Sequence, residues 1–250
     1  MMYKPDISII APVKYESENI EWVINNISKN IKYTFEILVI YDSEYDPTVQ
    51  IVKKIKKNIH NIKLIKNDYG QGVLNAIKKG FDCAKGNVLV MMAADRTDNP
   101  RTINAMYKKI LLGYDVICPS RYSKGGRVYG KTSIKSFLSK LSGISTPYIL
   151  GIPTSDLTYS FKMFKKDVLN NIQIQSKGGF EFAEELVIKA FLKNYKICEV
   201  PTIWKDRSYG KSKFLLINWL PRYIYWYIYG IVGRISKLFR GKQDRSKTRS

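Results

Sequence analysis

Three carboxylates stand where a chain most readily does chemistry. Glu16, Asp42 and Asp95 each follow an apolar run: ISIIAPV before the first, FEILVI before the second, VLVMMAA before the third. A single acid at a strand end is more often a turn residue or a helix cap. Three acids ending three strands of one sheet point to a bound ligand, since carboxylates accept hydrogen bonds and hold hard cations. Opposite them in charge are Arg121 in SRYSKGG, Arg127 in GGRVYGK, Arg207 in KDRSYG and Lys213 in KSK. The planar fork of arginine matches phosphate oxygens better than a lysine point charge does. The stretch SRYSKGGRVYGK, basic and glycine-rich, suits a lid or phosphate-gripping loop as well as a solvated surface loop.

The elements that must position these groups alternate regularly. Strands are predicted at Ile7 to Val13, Phe35 to Ile40, Ile62 to Ile65, Asn87 to Met92 and Asp115 to Cys118. Helical spacing of apolar residues falls between them, over Glu18 to Ile31, Val49 to Ile59, Val73 to Ala84 and Pro100 to Leu112. Such alternation predicts an α/β fold with a mostly parallel sheet covered on both faces, whose ligands sit outside the carboxyl ends of the strands. Residues 120–153 read as less regular. Phe180 to Tyr195 reads as an amphipathic helix, with Glu181, Glu184 and Glu185 either facing solvent or aimed at the site from its first turns, two of the three as ordinary surface charges. Asp98 fits a helix N-cap before Pro100, or an extra ligand beside Asp95.

The chain has 250 residues, 45% of them hydrophobic, enough for one sizeable core. Lys and Arg number 42 against 21 Asp and Glu, a net charge of +21 that predicts an anionic partner. Nucleic acid is not the expected one, because zinc-finger spacing and RNA-recognition signatures are missing and the basic residues gather beside an aromatic stretch. Three widely spaced cysteines form neither a disulfide framework nor a zinc site, and the N-terminal residues do not read as a secretory signal. Residues 214–233, FLLINWLPRYIYWYIYGIVG, carry Arg222 as their sole charge and are followed by a basic tail. Their length barely meets the minimum for a bilayer span, Pro221 interrupts them, and Trp and Tyr favour the headgroup zone. The expectation is a helix lying on the cytoplasmic side of a membrane, a peripheral or weak anchor; alternatively it packs on the catalytic domain or makes a homodimer.

Several stretches together resemble family 2 glycosyltransferases of the GT-A (Rossmann-like) fold, in particular the dolichyl-phosphate mannosyltransferase and polyprenyl-phosphate glycosyltransferase branch. APVKYESENI resembles the first strand and its P-x-x-x-E-x-E-N turn, through Pro12, Glu16, Glu18 and Asn19. EILVIYDSEYDPT resembles the second strand and its D-D-x-S-x-D-x-T, through Tyr41, Asp42, Glu44, Asp46 and Thr48. GQGVLNAIKKGFDCAKGNVLVM, SRYSKGG, TSDLTYSFKMF and EVPTIWKDRSYGKSK follow in the family order, and the similarity covers about residues 5–213.

This resemblance implies a catalytic domain over residues 1–213 and a membrane-associating helix and tail over 214–250. It implies an inverting transfer of a hexose, mannose or glucose, from a GDP- or UDP-sugar to polyprenyl or dolichyl phosphate. A surface-glycan or other lipid acceptor, or an inactive sugar-nucleotide-binding paralogue, are the alternatives. Pro12, Glu16, Tyr41, Asp42, Gly70, Gly72 and Asp95 match nucleotide-sugar positions, with Glu16 and Asp42 expected at base and ribose. Asp95 matches the aspartate that holds a divalent metal, Mg²⁺ or Mn²⁺. Arg121, Arg127, Arg207 and Lys213 match acceptor-phosphate positions; Asp95, Asp156 and Arg207 are the expected catalytic residues. The sequence departs from the family pattern at Ala93, which replaces the first aspartate of D-x-D, at Tyr41 in D-D and at Tyr15 before Glu16.

Overall fold

Strands buried on both faces read as continuous apolar runs and find their hydrogen-bond partners in neighbouring strands. In a computed structural model that describes residues 4–130, 134–207 and 216–247, the first half of the chain runs β1 (Ile7–Val13), α1 (Ile20–Asn30), β2 (Phe35–Tyr41), α2 (Pro47–Ile55), β3 (Ile62–Lys66), α3 (Val73–Cys83), β4 (Val88–Met91), α4 (Thr102–Leu111) and β5 (Val116–Ser120). It continues with β6 (Arg127–Tyr129), α5 (Ile134–Ile149), β7 (Lys162–Lys165), α6 (Lys166–Asn170), α7 (Phe182–Leu192), β8 (Ile197–Pro201), β9 (Ile203–Lys205) and α8 (Leu216–Lys247). A seven-stranded sheet has the order β3-β2-β1-β4-β7-β5-β8, and β6 pairs with β9 in a two-stranded ribbon. Strand β7 runs antiparallel to β4 and β5, while the other pairs are parallel.

Alternation along β2 sends Phe35, Ile37, Val39 and Tyr41 into the core beneath α1 and α2, and Leu38 and Ile40 into the core beneath α3 and α7. Helix α3 lies so close to β1 that a Cβ on Gly80 would stand 2.5 Å from Ile10 Cγ2. Because β1, β2 and β4 are parallel, the loops after them emerge along one edge of the sheet. Glu16, Asp42 and Asp95 lie in or next to those loops.

Two expectations are corrected. Residues 120–153, expected to be irregular, contain the strand β6 and the 16-residue helix α5. Phe137, Leu141, Ile144 and Tyr148 recur on α5 at helical spacing, but the stripe is exposed and lies among serines, glycine and threonine, which mask the signal. The second correction concerns Glu181, Glu184 and Glu185, all of which are buried. Helix α7 (FAEELVIKAFL) is apolar on nearly every side, and a helix of that kind enters the core with its charges.

Helix α8 packs along one side. Trp226 is buried and donates Nε1–H to Ser176 Oγ at 3.0 Å, and Tyr227 Oη lies 2.7 Å from Ser145 Oγ. Arg234 Nη1 donates to the carbonyls of Tyr148 and Ile149, at 2.7 and 2.6 Å, at the end of α5. The other side leaves Ile224, Tyr225, Ile228, Val232 and Ile235 exposed. Among the described residues, no helix is long and apolar enough to cross a membrane.

Candidate functional site

The loop after β1 is shaped by the start of α2. Asp46 caps that helix, accepting from Thr48 N at 2.9 Å with Pro47 at the first helical position. Its other oxygen accepts from Tyr15 N at 2.8 Å, and Thr48 Oγ1 accepts from Glu16 N at 2.9 Å. Tyr15 is thereby held at φ 59°, left-handed backbone that a bulky residue seldom adopts. Glu16 is turned so that Oε2 accepts from Asn19 Nδ2 at 2.8 Å.

Asp95 is buried, and the turn after it is equally constrained, with Arg96 at φ 66°. Asp95 Oδ1 accepts from Thr97 N at 3.2 Å and from Thr97 Oγ1 at 2.6 Å. Its Oδ2 meets Arg207 Nη2 at 2.7 Å, and Arg207 Nη1 lies 3.9 Å from Glu16 Oε1. The β6–β9 ribbon delivers the arginine: Lys205 N donates to Thr97 O at 3.2 Å and Asp206 N to Tyr129 O at 2.8 Å. Residues from the first, fourth and last strand connections thus converge on one guanidinium.

Asp98 is not a helix cap, since Arg101 holds that position without a side-chain cap bond. Its Oδ2 accepts from Ala93 N at 2.8 Å and its Oδ1 from the Tyr159 hydroxyl. Burial, reinforced by the charge on Asp95, pushes the Asp98 carboxyl up to about 7. Tyr159 continues the chain of contacts: the Arg121 guanidinium stacks 4.5 Å over its ring. Arg121 makes a bidentate pair with fully buried Asp156, Nε to Oδ2 at 2.7 Å and Nη2 to Oδ1 at 2.8 Å, and also reaches Ser139 Oγ at 3.0 Å. Tyr159 thus bridges Asp98 to Arg121, while Asp98 feels the charge of Asp95. Tyr159 was marked as part of a site by nothing beyond its place in TSDLTYSF.

Asp42 spends both oxygens on the glycine turn, accepting from Asn67 Nδ2 at 2.7 Å and from Gly72 N at 3.1 Å. Gly70 and Gly72 have φ of 93° and 121°, so both need glycine, and the space a Cβ on Gly72 would enter is open to 4 Å. Pro12 sits near the end of β1, paired with Ile40. Tyr41 is turned inward: its ring is buried and its hydroxyl donates to Glu44 Oε1 at 2.5 Å, with burial and Glu44 pushing its pKa up to about 12. The Tyr41 hydroxyl is thus committed to Glu44. Arg127 is exposed on β6 and donates to Tyr129 Oη at 3.3 Å; no described contact joins it to the Asp95 cluster. Lys213 lies outside the described residues.

Behind this site, Lys162 is fully buried and donates Nζ to Asp156 O at 3.2 Å. Glu185 is satisfied by Gln175 N at 2.6 Å, Ser176 N at 2.8 Å and Lys189 Nζ at 2.6 Å. Glu184 Oε2 has no hydrogen-bond partner among the described residues. Burial pushes Glu184 well above the usual carboxylate range; Lys162 pulls the other way and Glu181 adds to the rise. The unfolded chain releases this proton near its ordinary pKa of ~4.3 while the folded protein holds it to higher pH, so Glu184 costs stability as pH rises above that value. Glu184→Gln is expected to match the wild type at about pH 4 and to exceed it at about pH 8, the gap widening between them. Chemical denaturation at the two pH values checks this, and a gap that does not grow with pH contradicts it.

Among the described residues no group of three or more His, Cys, Asp or Glu side chains could hold a metal ion. The donor chemistry at Asp95 still fits one, because Mg²⁺ and Mn²⁺ bind through one or two carboxylates together with substrate phosphates. A guanidinium already stands as a cation on Asp95 Oδ2.

Comparison with known proteins bears on family and fold. The glycosyl transferase family 2 model matches residues 8–173. The chain is 30% identical over 212 residues to a dolichol-phosphate mannosyltransferase of Pyrococcus furiosus, covering 83% of this chain and 58% of that protein. It is 25% identical over 211 residues to a polyprenol monophosphomannose synthase of Mycolicibacterium smegmatis, covering 82% and 79%. Among solved structures, a glucosyl-3-phosphoglycerate synthase of Mycobacterium tuberculosis in complex with Mn²⁺, UDP-glucose and phosphoglyceric acid superposes with a TM-score of 0.67 at 15% identity, over 91% of this chain and 80% of that one. The fold is therefore that of the GT-A glycosyltransferases, and the chain belongs to glycosyl transferase family 2.

Proposed function

We propose that the protein is an inverting glycosyltransferase that moves a hexose from a nucleoside-diphosphate sugar to polyprenyl phosphate. The observation that carries this reading is the meeting of Asp95 and Arg207, 2.7 Å apart, with Asp98, which feels the Asp95 charge, bonded to the Tyr159 on which Arg121 stacks. In this reading the acids serve the donor side and the arginines the acceptor anion. The names of the Pyrococcus and Mycolicibacterium relatives support a polyprenyl phosphate acceptor and a mannosyl donor.

In this reading the nucleotide lies along the open face of the Gly70–Gly72 turn, which Asp42 and Asn67 hold rigid. Glu16 and Asp95 border the diphosphate. A divalent metal held by Asp95 and the donor phosphates would neutralise the charge that grows on the leaving diphosphate. The acceptor phosphate is already anionic near neutral pH, so no general base has to remove a proton. One of its oxygens attacks the anomeric carbon from the face opposite the diphosphate, the carbon–oxygen bond to the diphosphate breaks with its electron pair, and the configuration inverts. Arg207 and Arg121 orient the incoming phosphate, Arg121 through a guanidinium fixed by Asp156. The test is incubation with labelled GDP-mannose, and in parallel UDP-glucose, together with a short polyprenyl phosphate. Label in the lipid extract and release of nucleoside diphosphate are expected; label retained on the donor contradicts the reading.

The acceptor is membrane-bound, and the exposed apolar sides of α5 and α8 support a docking surface there. Phe137, Leu141, Ile144 and Tyr148 are exposed on α5, as are Ile224, Tyr225, Ile228 and Val232 on α8, and Arg234 of α8 bonds the Tyr148 carbonyl at the end of α5. Aromatic and aliphatic side chains followed by a basic tail fit a helix lying in the interface of an anionic bilayer. Ile228→Ser combined with Val232→Ser is expected to weaken partition onto phosphatidylglycerol-containing vesicles by about tenfold or more, since each exposed aliphatic is worth roughly 1.5–3 kcal/mol when buried. Co-sedimentation measures it; unchanged partition would remove α8 from the docking surface.

A further inference from the structure

One oxygen in the pocket has two claimants. Asp95 Oδ1 is occupied by the Thr97 amide and hydroxyl, at 3.2 and 2.6 Å, which leaves Oδ2 as the oxygen that meets the Arg207 guanidinium. The neighbouring carboxylates offer no substitute. Asp98 is engaged on both oxygens by Ala93 N and the Tyr159 hydroxyl, and Ala93 stands where a second acid would be. Glu16 accepts from Asn19 on Oε2 and has Arg207 3.9 Å from Oε1. Thr97 orients Asp95 through its amide and side chain and, through its carbonyl, receives Lys205 N two residues before Arg207. Anion and guanidinium are thus placed by the same turn, whereas the Arg207 side chain itself is 31% exposed and can rotate away.

We propose that Arg207 is the resident counter-cation of Asp95, and that a divalent metal and this guanidinium exclude one another at Oδ2. The proposal rests on the donor-pocket reading above. Two cations at one carboxylate oxygen repel, so arrival of the metal with the donor diphosphate turns Arg207 out toward the acceptor phosphate. Before the donor binds, Asp95 holds Arg207 back; afterwards the arginine is free to receive the acceptor anion. The pair therefore couples donor loading to the release of Arg207.

The test is titration with Mn²⁺, read by electron paramagnetic resonance of the free ion, alone and with GDP or UDP. Wild type, Arg207→Gln, Arg207→Lys and Asp95→Asn are compared. Removing a positive charge a few ångströms from the site is expected to tighten Mn²⁺ binding about tenfold in Arg207→Gln. Arg207→Lys, which keeps the charge, stays near wild type, and Asp95→Asn loses the site. Affinities for wild type and Arg207→Gln that agree within about twofold, while Asp95→Asn still loses binding, overturn the competition alone. Binding that does not depend on Asp95 in any of the proteins overturns the donor-pocket reading and the competition together.

Discussion

Asp95→Asn is expected to lower the rate of sugar transfer by about 10²–10³-fold, the usual cost of removing one preorganised electrostatic partner from a transition state. The amide keeps the shape of the side chain, and its oxygen still accepts from Thr97 N and Oγ1. It loses the charge that faces Arg207 and, with donor bound, the charge that would hold a metal. Folding changes little, because the Asp95–Arg207 pair has a partly exposed partner and such pairs contribute roughly 0–1 kcal/mol. A thermal melt beside a rate measurement separates the two effects. Wild-type turnover in this variant would remove Asp95 from the reaction; a collapsed melt would make its role structural.

Asp156→Ala is expected to fail in the opposite manner, through the fold. Asp156 is fully buried and the Arg121 side chain is 14% exposed, so removing the acid leaves a guanidinium largely cut off from water with no carboxylate. Breaking one side of a buried pair costs about 3–5 kcal/mol. Part of that cost should return in Asp156→Asn, which can still accept from Arg121. Denaturant unfolding measures both variants, and a loss below about 1 kcal/mol in Asp156→Ala would mean that Arg121 finds water or another partner. Transfer should fall in both variants, because the pair fixes the face that Arg121 turns toward the acceptor.

The contrast between these two acids marks what the sequence could and could not supply. From Ile7 to Ser120 the fold was legible, because strands buried on both faces are continuous apolar runs and the helices between them keep strict spacing. The convergence of Glu16, Asp95 and Arg207 was also foreseeable: parallel strands place their carboxyl ends together, and KDRSYG carried a family likeness. Helix α5 was not, because its apolar stripe faces outward among residues that favour turns. Two of the three glutamates at α7 were read by residue type, as surface charges, whereas the apolar residues on nearly every side of FAEELVIKAFL require all three to be inside. Asp42 and Tyr41 show another limit. The family likeness assigned them to the nucleotide side, but whether a polar group points at a ligand or at its own neighbours depends on hydrogen bonds to Asn67, Gly72 and Glu44 that no local pattern encodes. Tyr159 owes its position to stacking with Arg121 and its bond to Asp98, residues distant in the chain.

The central claim is that one pocket holds the donor diphosphate against acids and receives an acceptor that is itself an anion. Initial rates with polyprenyl phosphate and with the corresponding uncharged polyprenol, at the same labelled donor concentration, test it most directly. The account predicts lipid-extractable product from the phosphate alone, with that rate lost in both Asp95→Asn and Arg207→Gln. Equal rates with the alcohol, or a phosphate-dependent rate indifferent to Arg207, would contradict it.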